Sequence, residues 1–143
     1  MNLGLQKKIV LVTGGSRGLG KAIAKQFMEE DAVVYICGRD ADQLAEAAQD
    51  TGATGIQCDL TKASDITQLV TTIGQVDVLV TNAGGPKPGN FTDVTDDDWE
   101  HTFTLTFMSA VRLIRAVLPS MTAQHWGRII CLTSTSVKQP LDN

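Results

Sequence analysis

The sequence predicts an α/β fold, a parallel sheet with helices packed on both faces, and three observations predict it. Five short apolar runs of buried-strand type alternate with four segments in helical spacing. The clearest runs are continuously apolar rather than alternating, as in strands covered on both faces. A glycine-rich turn separates the first run from the first helical segment. Right-handed crossovers leave few topologies for such an order, and the commonest is a three-layer, doubly wound sheet.

The elements follow in order. Residues 8–13 (KIVLVT) form the first strand, and Leu19, Ala22, Ile23 and Phe27 mark the apolar stripe of the first helix. Residues 32–37 (AVVYIC) are the second strand, and Leu44, Ala47 and Ala48 mark a short second helix. The third strand, residues 54–58, is weaker. Ile66, Leu69, Val70 and Ile73 then stand at i, i+3, i+4 and i+7, with Thr61 as the expected N-cap. Residues 76–81 (VDVLVT) are the fourth strand, with Asp77 at its entrance. A loop rich in glycine and proline follows. Thr95 and Asp96-Asp97-Asp98 then supply a hydroxyl cap and three carboxylates to the positive end of a fourth helix. That helix carries Trp99, Phe103, Phe107, Ala110, Val111, Ile114 and Leu118, with a bend expected at Pro119. Residues 128–133 close the series as a fifth strand. With no internal repeat or linker, residues 1–143 read as a single Rossmann-like domain.

Composition excludes other classes. Hydrophobic residues are 43% and charged residues 20%, which rules out a disordered tail or a bare coiled coil. The net charge of −4 and the lack of any basic run beyond Lys7-Lys8 give no electrostatic footprint for nucleic acid or an anionic membrane. No apolar stretch approaches the ~18 residues of a spanning helix, and the first apolar run is too short for a signal peptide. Cys37, Cys58 and Cys131 lack metal spacing and read as buried free thiols in a reducing, cytoplasmic setting. His101 and His125 have no ligand-type neighbours and read as surface helix residues, so no metal is expected.

The chemistry gathers at the turn Thr13-Gly14-Gly15-Ser16-Arg17-Gly18-Leu19-Gly20. Between a strand and a helix, such a turn lets backbone N–H groups and the positive helix end approach a pyrophosphate, and glycine is needed where a Cβ would collide. The second strand ends Cys37-Gly38-Arg39-Asp40. At that position an acid suits the ribose 2′-hydroxyl of NAD, whereas a base suits a 2′-phosphate, so Arg39 points to NADP(H). A solvated arginine paired with Asp40 is the plain alternative.

These residues resemble the short-chain dehydrogenase/reductase family. Four motifs carry the resemblance in order along the chain: Thr13-Gly14-x-x-x-Gly18-x-Gly20, Asp59-Leu60, Asn82-Ala83-Gly84, and Gly127-Arg128-Ile129-Ile130 leading to Thr133-Ser134. The resemblance implies that Gly14, Ser16, Arg17, Gly18, Leu19 and Gly20 hold the pyrophosphate, with Arg17 also within reach of the 2′-phosphate. Asp59 and Leu60 would border adenine, and Asn82, Ala83 and Gly84 would end the fourth strand at the cofactor. It implies Ser134 as the serine that hydrogen-bonds a carbonyl oxygen; a hydroxyl after a buried strand serving as a turn or helix cap is the plain alternative. Two departures stand out. The family's asparagine in the fourth helix falls at Thr106, which has no amide. Its Tyr-x-x-x-Lys pair is missing: the one tyrosine, Tyr35, lies in the second strand, and Ser134 stands four residues before Lys138. The run after Ser134, through Lys138, Gln139 and Pro140, is also unlike the family's small, glycine-containing segment.

Two readings follow. One is an NADP(H)-dependent oxidoreductase, similar to 3-oxoacyl-carrier-protein reductases, acting on a small carbonyl or alcohol and C-terminally incomplete relative to the family. The other is a non-catalytic dinucleotide-binding or interaction module. Either leaves the fifth strand as an open apolar edge, for which a homo-oligomer (dimer or tetramer) is expected, or else a complementary segment or continuation in a longer polypeptide.

Overall fold

The computed structural model of the chain describes residues 3–139. The predicted order of elements is present: β1 (Ile9–Val12), α1 (Gly18–Glu29), β2 (Val33–Gly38), α2 (Ala41–Thr51), β3 (Thr54–Gln57), α3 (Ala63–Ile73), β4 (Val78–Thr81), α4 (Asp96–Phe103), α5 (Ser109–Ala123) and β5 (Arg128–Cys131). Every pairing is parallel, and the strands lie in the order β3-β2-β1-β4-β5. The chain moves outward from β1 to β3 and then returns to β4 on the other side of β1. That reversal makes the sheet doubly wound and opens a crevice at the C-terminal ends of β1 and β4.

Alternation along the strands sorts the core into two layers. Val10, Val12, Val34, Ile36, Val78 and Val80 pack with Ala24 of α1 and with Leu44 and Ala47 of α2. Leu11, Cys37 and Leu79 pack with Ile66 and Leu69 of α3 and with Leu113, Val117 and Met121 of α5.

Several expectations are corrected. The fourth helix is present and runs from Asp96 to Ala123, but a π-helical turn, Thr104–Met108, divides it into α4 and α5, with the Ser109 N–H reaching the Thr104 carbonyl five residues back. The combined stretch Asp96–Ala123 has 28 residues and is, by length and composition only, long and apolar enough to cross a membrane. Its Leu105, Leu113, Val117 and Met121 are nonetheless buried in the fold. Helix α5 continues through Pro119 to Ala123. Thr61 does not cap α3: Lys62 holds that position without a side-chain bond, and the Thr61 hydroxyl donates to Asp59 Oδ1 at 2.7 Å. Cys37 and Cys58 are buried, but Cys131 is exposed on β5. His101 is exposed on α4, whereas His125 lies past the end of α5 in a left-handed turn at φ 53°. The acidic run does form a capping box, with Asp98 and Thr95 exchanging bonds.

Asp77 sits at the strand entrance, as predicted, and joins three strands there. Its carboxylate accepts the Ile9 N–H at 2.8 Å and the Gln75 amide at 3.1 Å, and its carbonyl accepts the Arg128 N–H at 3.0 Å. Burial pushes the Asp77 carboxyl upward, but the Ile9 N–H, the Gln75 and Gln124 amides and Lys8 outweigh it and hold the group below its ordinary value. Trp126, packed against the α1–α2 layer, carries the Lys8 ammonium 4.0 Å and the Arg128 guanidinium 5.0 Å from its ring centre.

Candidate functional site

The crevice holds a cavity of about 270 Å³. Its floor is the glycine-rich turn, through Gly14, Ser16, Arg17 and Leu19. One side is Gly38, Arg39, Cys58 and Leu60, beyond β2 and β3; the other is Asn82, Ala83 and Gly84, beyond β4, with Leu105 of the π turn.

The turn is tied down from β4. The Thr13 hydroxyl donates to the Asn82 carbonyl at 2.8 Å and accepts the Asn82 N–H at 2.9 Å. The Asn82 side-chain amide donates to the carbonyls of Thr13 and Gly14 at 3.3 and 3.2 Å. Gly14 and Gly18 adopt left-handed backbone at φ 59° and 53°, which favours glycine. Gly20 is required by space, because a Cβ there would strike the Gly14 carbonyl oxygen. Helix α1 starts just after the turn, with Arg17 at its N-cap, no side-chain cap and no acidic residue in its first turn. Its positive end therefore faces the cavity uncompensated.

Two cations border this end. Arg17 and Arg39 are exposed at the cavity and have no ion-pair partner among the described residues. An Arg39–Asp40 pair is not formed; the Asp40 carboxylate accepts the Gln43 N–H at 2.9 Å and caps α2. The arrangement suits a ligand with phosphates at the turn and a further anionic group beside Arg39.

Other predicted residues are placed unevenly. Leu60 lines the cavity, whereas the Asp59 carboxylate turns away to accept the Thr61 N–H and hydroxyl at 3.0 and 2.7 Å. Partial burial raises the Asp59 carboxyl, but the two Thr61 bonds, with Lys62 and Arg39 nearby, leave it below its ordinary value. Gly18 and Gly20 shape the turn without lining the cavity. Ser134 is exposed, and its oxygen accepts the Ser136 N–H at 3.1 Å and the Ser136 hydroxyl at 2.8 Å, so it caps the short 3-10 turn Thr135–Val137. Thr106 is exposed on the π turn, with its hydroxyl on the Thr102 carbonyl at 2.7 Å. Tyr35 is half-buried beneath the α3–α5 layer, and Arg39, not a lysine, stands four positions after it. Pro140 lies outside the described residues.

Three lining residues, Gly38, Cys58 and Leu105, were not among the expected site. Cys58 reads in sequence as a structural thiol, although its place just before Asp59 at the end of β3 is a usable signal. Its hydrogen bond to Cys37, together with burial, pushes the Cys37 thiol upward. Leu105 gives no sequence signal, because the π turn shifts the helical phase that would locate it.

Comparison with known proteins places these features. Residues 8–143 match the family model for short chain dehydrogenases. The chain is 40% identical over 148 residues to YvrD, an uncharacterized oxidoreductase of Bacillus subtilis, covering 99% of this chain and 56% of that protein. The solved L-sorbose reductase of Gluconobacter frateurii, complexed with NADPH and L-sorbose, is 32% identical with a TM-score of 0.89 over 99% of this chain and 57% of its own. An actinorhodin polyketide ketoreductase variant solved with NADPH is 30% identical, with a TM-score of 0.87 over 94% of this chain and 56% of its own. The chain thus spans about half the length of the relatives it matches.

Proposed function

The chain belongs to the short-chain dehydrogenase family, and from that premise we propose that its cavity binds NADP(H) and serves hydride transfer between nicotinamide and a small carbonyl or alcohol. One observation carries the reading: an uncapped helix end and two unpaired arginines, Arg17 and Arg39, border one cavity. The backbone from Gly14 through Leu19 holds the pyrophosphate on the end of α1, and Gly20 lets the helix pack close. Arg39, helped by Arg17, takes the 2′-phosphate. Leu60 packs against adenine, with Asp59 bracing the loop behind it, and Asn82, Ala83 and Gly84 form the wall towards the nicotinamide. When bound, the nicotinamide supplies or accepts the hydride. Ser134 hydrogen-bonds the carbonyl oxygen once its bond to Ser136 yields.

Replacing Arg39 with Asp tests the cofactor. It removes one charge-assisted contact worth ~1.5–3 kcal/mol, so NADPH should weaken roughly tenfold to hundredfold while NADH changes far less. Equal weakening of both in a calorimetric titration overturns the NADP(H) reading.

Turnover is a separate matter. None of these 143 residues is a tyrosine four positions before a lysine, and loss of a general acid typically costs ~10²–10⁴ in rate. The isolated chain should therefore bind NADPH yet oxidise it slowly, if at all, with a ketone present. Steady oxidation at a rate typical of reductases would make Ser134 or water the proton donor. Ser134, engaged as the cap of the 3-10 turn, favours a second reading as a non-catalytic dinucleotide-binding module. In the first reading the partners are a small carbonyl or alcohol and a second copy of the chain in the cytoplasm, in the second a second copy without a substrate, and in neither nucleic acid or membrane.

A further inference from the structure

The Leu60 side of the cavity is carried by a loop rather than by a strand. β3 ends at Gln57, and the Cys58 N–H makes one more sheet-like bond, to the Gly38 carbonyl at 3.0 Å. From there the bonds are local. Asp65 accepts the Asp59 N–H at 3.1 Å, the Asp59 carboxylate accepts Thr61 twice, and the Lys62 N–H reaches the Asp59 carbonyl at 2.9 Å. Such bonds give residues 59–65 a shape; Leu60, with Ile66 just beyond, packs them onto the core, and the polar tie to the rest of the fold comes from a residue 51 positions further along: Arg112 of α5 donates from Nη1 to the Thr61 carbonyl at 3.2 Å. Arg112 is half-buried in the groove between α3 and α5, beside Ala63 and Ile66, so its side chain is already confined. Arg115 borders the same groove, is exposed, and has no hydrogen bond among the described residues.

We infer that Arg112 is a positioning residue for the adenine side of the cavity: by holding Thr61 it sets Leu60 against the base without touching the nucleotide. The inference rests on the cofactor reading above. α5 thereby reaches the nucleotide through one guanidinium, and its shifts alter adenine affinity while leaving the phosphate-holding turn alone.

The test is calorimetric, on the full chain, with 5′-AMP and inorganic pyrophosphate as separate probes. In Arg112→Met the affinity for 5′-AMP should fall roughly three- to tenfold, the range for a residue acting through its neighbour. Pyrophosphate affinity should stay as in wild type, and amide exchange at Asp59, Thr61 and Lys62 should quicken. Arg115→Met should change none of these. If Arg112→Met fails to fold, Arg112→Ala paired with the same probes serves in its place. Unchanged 5′-AMP affinity in a folded variant, or an equal loss for pyrophosphate, overturns the positioning role while wild-type binding leaves the cofactor reading standing. Wild-type protein that binds neither 5′-AMP nor NADPH removes both.

Discussion

β4 and β5 are neighbours in one sheet, paired residue by residue, and both are rich in aliphatic side chains. Leu79 lies opposite Ile129 and Val80 opposite Ile130. All four residues of β4 are buried, whereas all four of β5 are exposed. Composition does not separate them; neighbours do. β4 has β1 on one side, β5 on the other, and side chains from helices on both faces. Among the described residues β5 has a bonded strand on one side alone. An apolar run therefore reports a capacity for burial, and topology decides whether it is used. The same contrast extends to the residues beyond each strand. Asn82, after β4, is bonded to Thr13 and Gly14 some 70 positions away, whereas Ser134, after β5, bonds among the described residues only to Ser136.

The contrast breaks if matched truncations cost the same. Leu79→Ala should destabilise by ~2–5 kcal/mol, because a fully buried leucine leaves a cavity behind. Ile129→Ala, at a position 37% exposed, should cost less than ~1.5 kcal/mol. Urea melts of the two variants compare them directly.

Asp77 sharpens the contrast, since it ties β1 to β4 and presents its carbonyl to β5. Asp77→Ala strands the Ile9 N–H and should cost ~1–3 kcal/mol. The pH dependence has a definite sign. The folded carboxyl sits below its ordinary value of 3.8, so its contribution is full above that value and is lost as pH falls through the lower, folded one. Asp77→Asn should flatten this acid limb; an unchanged limb would assign acid unfolding to other carboxylates.

The smallest effect on stability belongs to the edge. Ile130→Lys, at a site 47% exposed, should alter the melt by no more than ~0.5 kcal/mol. It should nevertheless shift the chain toward monomer in light scattering, because a charge on an open edge opposes pairing with a second copy. A wild-type chain already monomeric at tens of micromolar would remove that expectation.

Most of the sheet was legible in sequence because its strands are unbroken aliphatic runs whose two faces meet two helix layers. The glycine-rich turn was legible because left-handed backbone and close helix approach at Gly14, Gly18 and Gly20 leave few other residue choices. What escaped was set by contacts between distant segments. The π turn at Thr104–Met108 changes helical phase and brings Leu105 to the cavity, which no 3.6-residue periodicity foretells. Thr61 looked like a helix cap, but its hydroxyl is taken by Asp59, leaving Lys62 to begin α3. The open edge at β5 was expected, but the exposure of Cys131 on it was not, because a thiol within an apolar run reads as buried.

The place of β1 in the middle of the sheet has a consequence for synthesis. Its first partner, β2, follows within some 25 residues, but its second, β4, stands in register 68 positions downstream. At ~5–20 residues per second on the ribosome, β4 emerges roughly 3–14 s after β1. Throughout that interval the most apolar strand of the protein has one bare edge, and the carboxylate that will accept the Ile9 N–H has not been made. The nascent βαβ unit is therefore the stage most exposed to aggregation, and slowing translation between β3 and β4 lengthens it.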